Sequence, residues 1–225
     1  MNDMSKTEFD LRMSRGHVLF DSGAGLLLVD TGSPFSFHEC GRIRLCGEEF
    51  PVPTSLMGVG AAYVSEKVGE PVSGLVGMDI IGFLGLKIDV PGGRLTFCPS
   101  TEGMTPIPSG TADSYVSMEM LLAGRPARVL LDTGAPTSYV SPSFTEGLTP
   151  IDRVTDFNPM VPGDTFETPV FELPASFAGE DFMMRAGHLP SRLQMMVSML
   201  GADAVVGLEI LRRFPVAVAE GKVWV

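Results

Sequence analysis

The sequence has little of what most catalytic designs draw on: three histidines, three cysteines and one tryptophan in 225 residues. Long apolar runs are missing too. A membrane helix needs about 20 consecutive apolar residues, and no stretch comes close; residues 1–15 also lack the apolar core of a secretory signal. A cytoplasmic protein with no membrane partner is expected. Cys40, Cys46 and Cys98 cannot all pair within one chain, which argues against a disulfide scaffold and for a reducing compartment. A Cys40–Cys46 bridge is the pairing left open. The only imidazoles, His17, His38 and His188, lie far from any Gly-x-Ser-x-Gly turn, so a serine or cysteine hydrolase lacks its base.

Other chemistries fall for similar reasons. His38, Cys40 and Cys46 lack a fourth ligand and the tight pair spacing of a zinc site, so no metal or other cofactor is expected. Gly58-Val-Gly60 lacks the third glycine of a dinucleotide loop, with Tyr63 in its place. Basic residues are scarce, 16 against 27 acidic ones, and the net charge of -11 repels phosphate backbones. Nucleic acid is therefore excluded as a partner, and any substrate should be neutral or basic.

What is abundant is turn chemistry and apolar side chains. With 26 glycines, 18 prolines and 44% hydrophobic residues, the composition is that of a globular, turn-rich chain. The length fits one domain or two small ones.

The chain is internally duplicated. Asp30-Thr-Gly-Ser-Pro-Phe-Ser-Phe37 recurs as Asp132-Thr-Gly-Ala-Pro-Thr-Ser-Tyr139 at an offset of 132 - 30 = 102 residues. Each copy follows a strand–turn–strand pattern: 17–20 and 26–29 around Ser22-Gly-Ala-Gly25, then 115–122 and 127–131 around Ala123-Gly-Arg-Pro126. Downstream, Gly74-Leu-Val-Gly-Met-Asp-Ile-Ile81 matches Ala204-Val-Val-Gly-Leu-Glu-Ile-Leu211, and a final hairpin follows in both, at 86–97 and 215–225. Asp79 and Glu209 recur in register; anchoring of loops is the expected role for both. Asp30 to Gly77 spans 47 residues and Asp132 to Gly207 spans 75, so the second half carries 28 extra. In that excess, 166–190 reads as two strands about Gly179, and 191–200 as a short helix with Ser191 as its N-cap and Gly201 beyond its end. Met195, Met196 and Met199 on that helix are expected in the core. Residues 1–98 and 115–225 form the two lobes, and the Pro/Gly/Ser/Thr-rich stretch 99–114 reads as the linker.

Two carboxylates can hydrolyse an amide without metal or nucleophilic side chain, one taking a proton from water and the other protonating the carbonyl oxygen. Held close, they cannot both ionise, so they share a proton and titrate as a pair. Asp30 and Asp132, each at the end of an apolar strand, are the candidates. Thr31 and Thr133 are placed for a symmetric hydrogen-bond lattice, and Gly32 and Gly134 let backbone approach the carboxylates.

An Asp-Thr-Gly turn followed downstream by two apolar residues and glycine, all occurring twice, resembles the pepsin and retropepsin clan of aspartic proteases. The resemblance covers nearly the whole chain, which is similar to a retropepsin dimer fused into one polypeptide. It implies an all-β, bilobal pseudo-twofold acid-protease fold, a cleft between the halves, and acid-favoured endopeptidase action on peptide or protein substrates. By the same resemblance Asp30 and Asp132 are the catalytic pair, Thr31 and Thr133 the interlocked threonines, and Gly77 and Gly207 the glycines beneath the loops. Ser33 matches the pepsin-like form of the turn and Ala135 the retropepsin-like form. A hydroxyl beside Asp30 alone would favour its ionised form and leave the shared proton on Asp132. A flap is expected from the first half, at Leu56-Met-Gly-Val-Gly-Ala-Ala-Tyr63, with Gly58, Gly60 and Tyr63 as its candidates. The second half offers only the proline-rich 158–163. Duplication within one chain removes the need to dimerise, so a monomer is expected. A catalytically silent peptide-binding module on the same fold is the alternative.

Overall fold

The computed structural model describes residues 7–112, 114–157 and 163–225. It is mostly β. In chain order the first half contains β1 (Glu8–Ser14), β2 (His17–Asp21), β3 (Leu26–Val29), β4 (Phe37–His38), β5 (Arg42–Leu45), β6 (Glu48–Pro51), β7 (Ser55–Leu56) and β8 (Val59–Gly60). Helix α1 (Ala61–Val68), β9 (Gly74–Val76), α2 (Met78–Leu84), β10 (Leu86–Asp89) and β11 (Arg94–Phe97) complete it. The stretch read as a linker forms two short strands, β12 (Pro106–Ile107) and β13 (Ser109–Ala112). The second half has β14 (Tyr115–Leu122), β15 (Arg125–Leu131), β16 (Ser138–Val140), β17 (Asp152–Phe157), β18 (Thr165–Phe177) and β19 (Glu180–Gly187). It ends with α3 (Ser191–Met199), β20 (Ala204–Val206), α4 (Leu208–Leu211), β21 (Val216–Ala219) and β22 (Lys222–Trp224).

The duplication is reproduced in strand pairing. In the first half β3 pairs in parallel with β9, which pairs antiparallel with β4; in the second, β15 pairs in parallel with β20, which pairs antiparallel with β16. Each threads a buried, β-branched and leucine-rich strand through the middle of its half, the pattern expected of strands covered on both faces. Helices α1 and α3 occupy matching places, each just before the parallel strand. Val64 and Val68 of α1 pack on Leu28, Phe37 and Leu75, while Val197 of α3 packs on Leu130, Tyr139 and Val205.

The halves meet through their final hairpins. Leu86 pairs with Val218, Lys87 with Ala217 and Ile88 with Val216. With Gly207 as the counterpart of Gly77, an offset of 207 - 77 = 130, Leu86 corresponds to Val216 and Ile88 to Val218. Each residue therefore pairs with the counterpart of the other, the reciprocity of a twofold contact. The resulting ten-stranded sheet runs from β12 through β22, β21, β10 and β11 to β1 and onward, and one hydrophobic cluster extends through both halves. The start of the chain is built in: β1 lies between β11 and β2.

Three local expectations change. Residues 61–63 begin a helix that ends at Gly69 in the left-handed region (φ 78°), so the first-half hairpin is confined to β7–β8, turning at Met57-Gly58. Pro190, not Ser191, caps α3, and Leu193 and Val197 are its buried residues. Met195 and Met199 instead point outward, 59% and 79% exposed, because the helix has one apolar face and the methionines flank it.

Candidate functional site

Two matching loops place the aspartates. Asp30 N–H donates to the Val76 carbonyl (3.0 Å) and Asp132 N–H to the Val206 carbonyl (3.0 Å), tying each loop to its parallel strand. Ser33 N–H closes onto the Asp30 carbonyl, and Ala135 N–H onto that of Asp132, both at 3.3 Å. Beneath each loop sits the expected glycine. A Cβ on Gly77 would come 2.6 Å from the Phe35 carbonyl oxygen, and one on Gly207 would overlap that of Ala135, so no larger residue fits.

Between the loops lies a reciprocal lattice. Thr31 N–H donates to Thr133 Oγ1 (3.0 Å) and Thr133 N–H to Thr31 Oγ1 (3.0 Å). Each hydroxyl then donates under the opposite strand, Thr31 to the Leu131 carbonyl (2.7 Å) and Thr133 to the Val29 carbonyl (2.9 Å). Both threonines are buried, so every bond is made away from water, where a missing partner is costly.

The lattice sets the carboxylates face to face. Gly32 N–H donates to Asp30 Oδ1 (2.8 Å) and Gly134 N–H to Asp132 Oδ1 (2.9 Å). A Cβ on Gly134 would lie 2.6 Å from the Asp30 carboxyl carbon, and one on Gly32 would overlap the Asp132 carboxyl. Burial, then the charge of Asp132 and a hydrogen bond to it, hold Asp30 well above the ordinary carboxylate range. Burial raises Asp132 as well, offset by the Gly134 N–H and by the hydrogen bond from Asp30. Both carboxyls are thus held up, and the two titrate as one pair. The Ser33 hydroxyl, expected beside Asp30, instead donates to the Phe35 carbonyl (2.8 Å) within its own loop.

Asp79 acts as an anchor, as expected. Its carboxylate takes the Ser36 N–H (3.0 Å) and hydroxyl (2.5 Å), and Ser36 Oγ in turn accepts from Gly77 N–H (2.8 Å). In the second half Gly207 N–H reaches Ser138 Oγ at 3.4 Å, but among the described residues Glu209 makes no corresponding bond.

The hairpin near the site differs from expectation. In the second half, β17 and β18 pair over six residues from Asp152–Val170 to Phe157–Thr165, a longer hairpin than β7–β8. Of the proline-rich stretch 158–163, residues 158–162 lie outside the described residues. Gly163 N–H donates to Tyr63 Oη across the two halves (3.4 Å), so Tyr63 meets the opposite hairpin from helix α1 rather than lying on a flap of its own. Gly58 (φ 85°) supplies the β7–β8 turn, and Gly60 precedes α1.

Sequence reasoning missed two residues that flank the pair. Leu19 pairs with Leu28 in β2–β3, and Ser117 with Leu130 in β14–β15. Since Leu28 and Leu130 are counterparts, His17 and Tyr115 occupy the same place in the two halves, hidden in the sequence by turns of unequal length. Tyr115 is raised by burial and by the charges of Asp132 and Asp30. His17 is 4% exposed, its ring faces the Gly134 backbone, and burial lowers its pKa. The cysteines are all free; Cys46 faces Cys98 rather than Cys40, and burial and Cys98 push its thiol up to about 12. His38 Nδ1 accepts from the Cys40 N–H (3.0 Å). Among the described residues no helix is long and apolar enough to cross a membrane.

The sequence matches no family model and no curated protein.

Proposed function

We propose that the chain is an aspartic endopeptidase of the pepsin and retropepsin type, with Asp30 and Asp132 as its catalytic pair in a cleft between two acid-protease lobes. One observation carries this reading: two half-buried carboxylates from opposite halves, each set against the glycine of the facing loop and held by reciprocal Thr31–Thr133 bonds. A structural role does not need this arrangement, since burying two like acids together costs stability unless they share a proton.

The chemistry follows from the proton count. A water between the carboxylates gives a proton to the ionised member of the pair while its oxygen attacks the peptide carbonyl carbon, and the protonated member donates its proton to the carbonyl oxygen. The resulting gem-diol collapses as a proton passes to the leaving nitrogen, and the pair returns to one shared proton. The backbone N–H groups of Gly32 and Gly134 hold the carboxylates in place throughout.

The test is incubation of the purified protein with a mixed peptide library from about pH 3 to 7, with and without pepstatin, beside Asp30→Asn and Asp132→Asn. Pepstatin-sensitive cleavage abolished by both substitutions is expected. Cleavage that persists in either variant would refute the pair, and a folded wild type that binds peptides without cleaving them would mark a silent binding module.

A further inference from the structure

The two Asp-Thr-Gly loops have matching shapes but unequal ties to their own halves. In the first, Met78 N–H donates to the Ser33 carbonyl and Gly77 N–H to Ser36 Oγ, both at 2.8 Å, and the Asp79 carboxylate holds Ser36 from the other side. The equivalent bonds in the second, Leu208 N–H to the Ala135 carbonyl and Gly207 N–H to Ser138 Oγ, are both 3.4 Å, beyond the usual range. Among the described residues the Glu209 side chain adds no bond there. What meets the second loop comes instead from the first half. Ser14 pairs with His17, so Arg15 and Gly16 form a two-residue turn with both φ values positive (46° and 84°), the form that closes a twisted hairpin. A Cβ on Gly16 would come 2.6 Å from Pro136 Cβ and 3.7 Å from Leu208 Cδ2, so the turn lies directly against the Asp132 loop and the first residue of α4.

The turn is braced from behind. Ser14 Oγ donates to the Val68 carbonyl (2.8 Å), Arg15 to the Glu66 carbonyl (3.1 Å), and Arg12 pairs with Glu70 (2.7 Å), all at or just past the C-terminal end of α1. Gly69, the left-handed stop of α1, leaves the room Arg15 needs: a Cβ there would come 2.5 Å from Arg15 Nε. Three ties to one helix end fix the turn in place, and closely packed atoms pass a displacement on rather than absorb it.

We propose that Gly16 is a positioning residue for Asp132: the Arg15-Gly16 turn, braced on α1, is the stop against which Pro136 seats the second aspartate loop, in the role that Asp79 has for the first. The proposal rests on reading Asp30 and Asp132 as a working pair. Both carboxylates are then set by the first half, Asp30 through Asp79 and Asp132 through Gly16, and the second half does not position its own aspartate without β1 and β2.

The deciding experiment compares Gly16→Ala with Gly179→Ala. Gly179 closes the same kind of two-residue turn between β18 and β19 at the same φ of 84°, but a Cβ there meets nothing within 4 Å, so the two variants share backbone strain and differ in the contact. Amide hydrogen exchange followed by NMR needs no substrate. In Gly16→Ala the Gly207 and Leu208 amides should exchange about ten-fold faster or more than in wild type, while their counterparts Gly77 and Met78 keep their rates. Gly179→Ala should leave all four in place. In the peptide assay Gly16→Ala should lower kcat by about ten-fold or more with KM little changed, since a displaced carboxylate loses transition-state interactions rather than substrate binding. If Gly16→Ala does not fold, Arg15→Ala, which trims an exposed side chain and loosens the turn from α1, should speed the same two amides by less. Unchanged exchange at Gly207 and Leu208 in a folded variant, or equal acceleration in both halves, overturns the proposal. The selective acceleration seen in a protein that cleaves no peptide would uphold the positioning and count against the proposed activity instead.

Discussion

The sharpest consequence of the twofold lattice is that its two threonines should be worth the same. In Thr31→Val the shape is kept and the hydroxyl lost, leaving the Leu131 carbonyl and the Thr133 N–H without partners in a site closed to water. Thr133→Val leaves the Val29 carbonyl and the Thr31 N–H in the same state. Each orphaned buried group costs about 1–3 kcal/mol, so each substitution should cost roughly 2–5 kcal/mol. For a chain of this size that is a fall in Tm of about 5–15 °C. Urea unfolding followed by far-UV circular dichroism gives the free energies, and the two variants should agree within about 1 kcal/mol. Serine at either position keeps the hydroxyl and should recover most of the loss. A cost under about 1 kcal/mol for one threonine beside a large cost for the other would refute the reciprocal lattice.

Other outcomes follow from the same geometry. Gly134→Ala puts a methyl 2.6 Å from the Asp30 carboxyl carbon, so the carboxylate must shift; cleavage in the peptide assay should fall by about 100-fold or more while circular dichroism stays β-rich. Asp30 has a folded pKa raised above its unfolded value, so its stabilising share is complete below the ordinary carboxylate range and is lost as pH rises through the folded value. Asp30→Asn should therefore have a higher Tm than wild type near neutral pH, with the gap closing in acid, as a thermal-melt series would show. Iodoacetamide near pH 8 should label exposed Cys40 well before Cys46, whose thiol is pushed up to about 12, as read by peptide mass spectrometry.

Much of the site could be read from the chain because its parts are local. A buried strand ending in Asp-Thr-Gly, with a glycine beneath the turn, is set by side-chain size and backbone freedom within a few residues. Its recurrence pointed to Asp30, Asp132, Gly77 and Gly207, which the structure sets in two matching loops. Helix α1 was legible as well: Ala61, Ala62, Glu66 and Lys67 are good helix formers and Gly69 is a suitable stop, but the glycines before them drew the reading toward a hairpin. Residues 166–190 were legible as two strands about Gly179 and form β18 and β19, whereas β17 was hidden because Asp152-Arg-Val-Thr-Asp-Phe157 is largely polar and exposed and is held extended by its pairing with β18.

The sequence by itself determined the duplication, the two Asp-Thr-Gly turns and the threonines that join them, since repetition and turn chemistry are written in adjacent residues. Only the tertiary structure decided where each hydroxyl and each charge goes. Cys46 turned to Cys98, His17 to Gly134, and Asp156 to Tyr139. Those partners are brought together by strand register and by the packing of one half on the other, and no local pattern encodes a contact between residues that far apart in the chain.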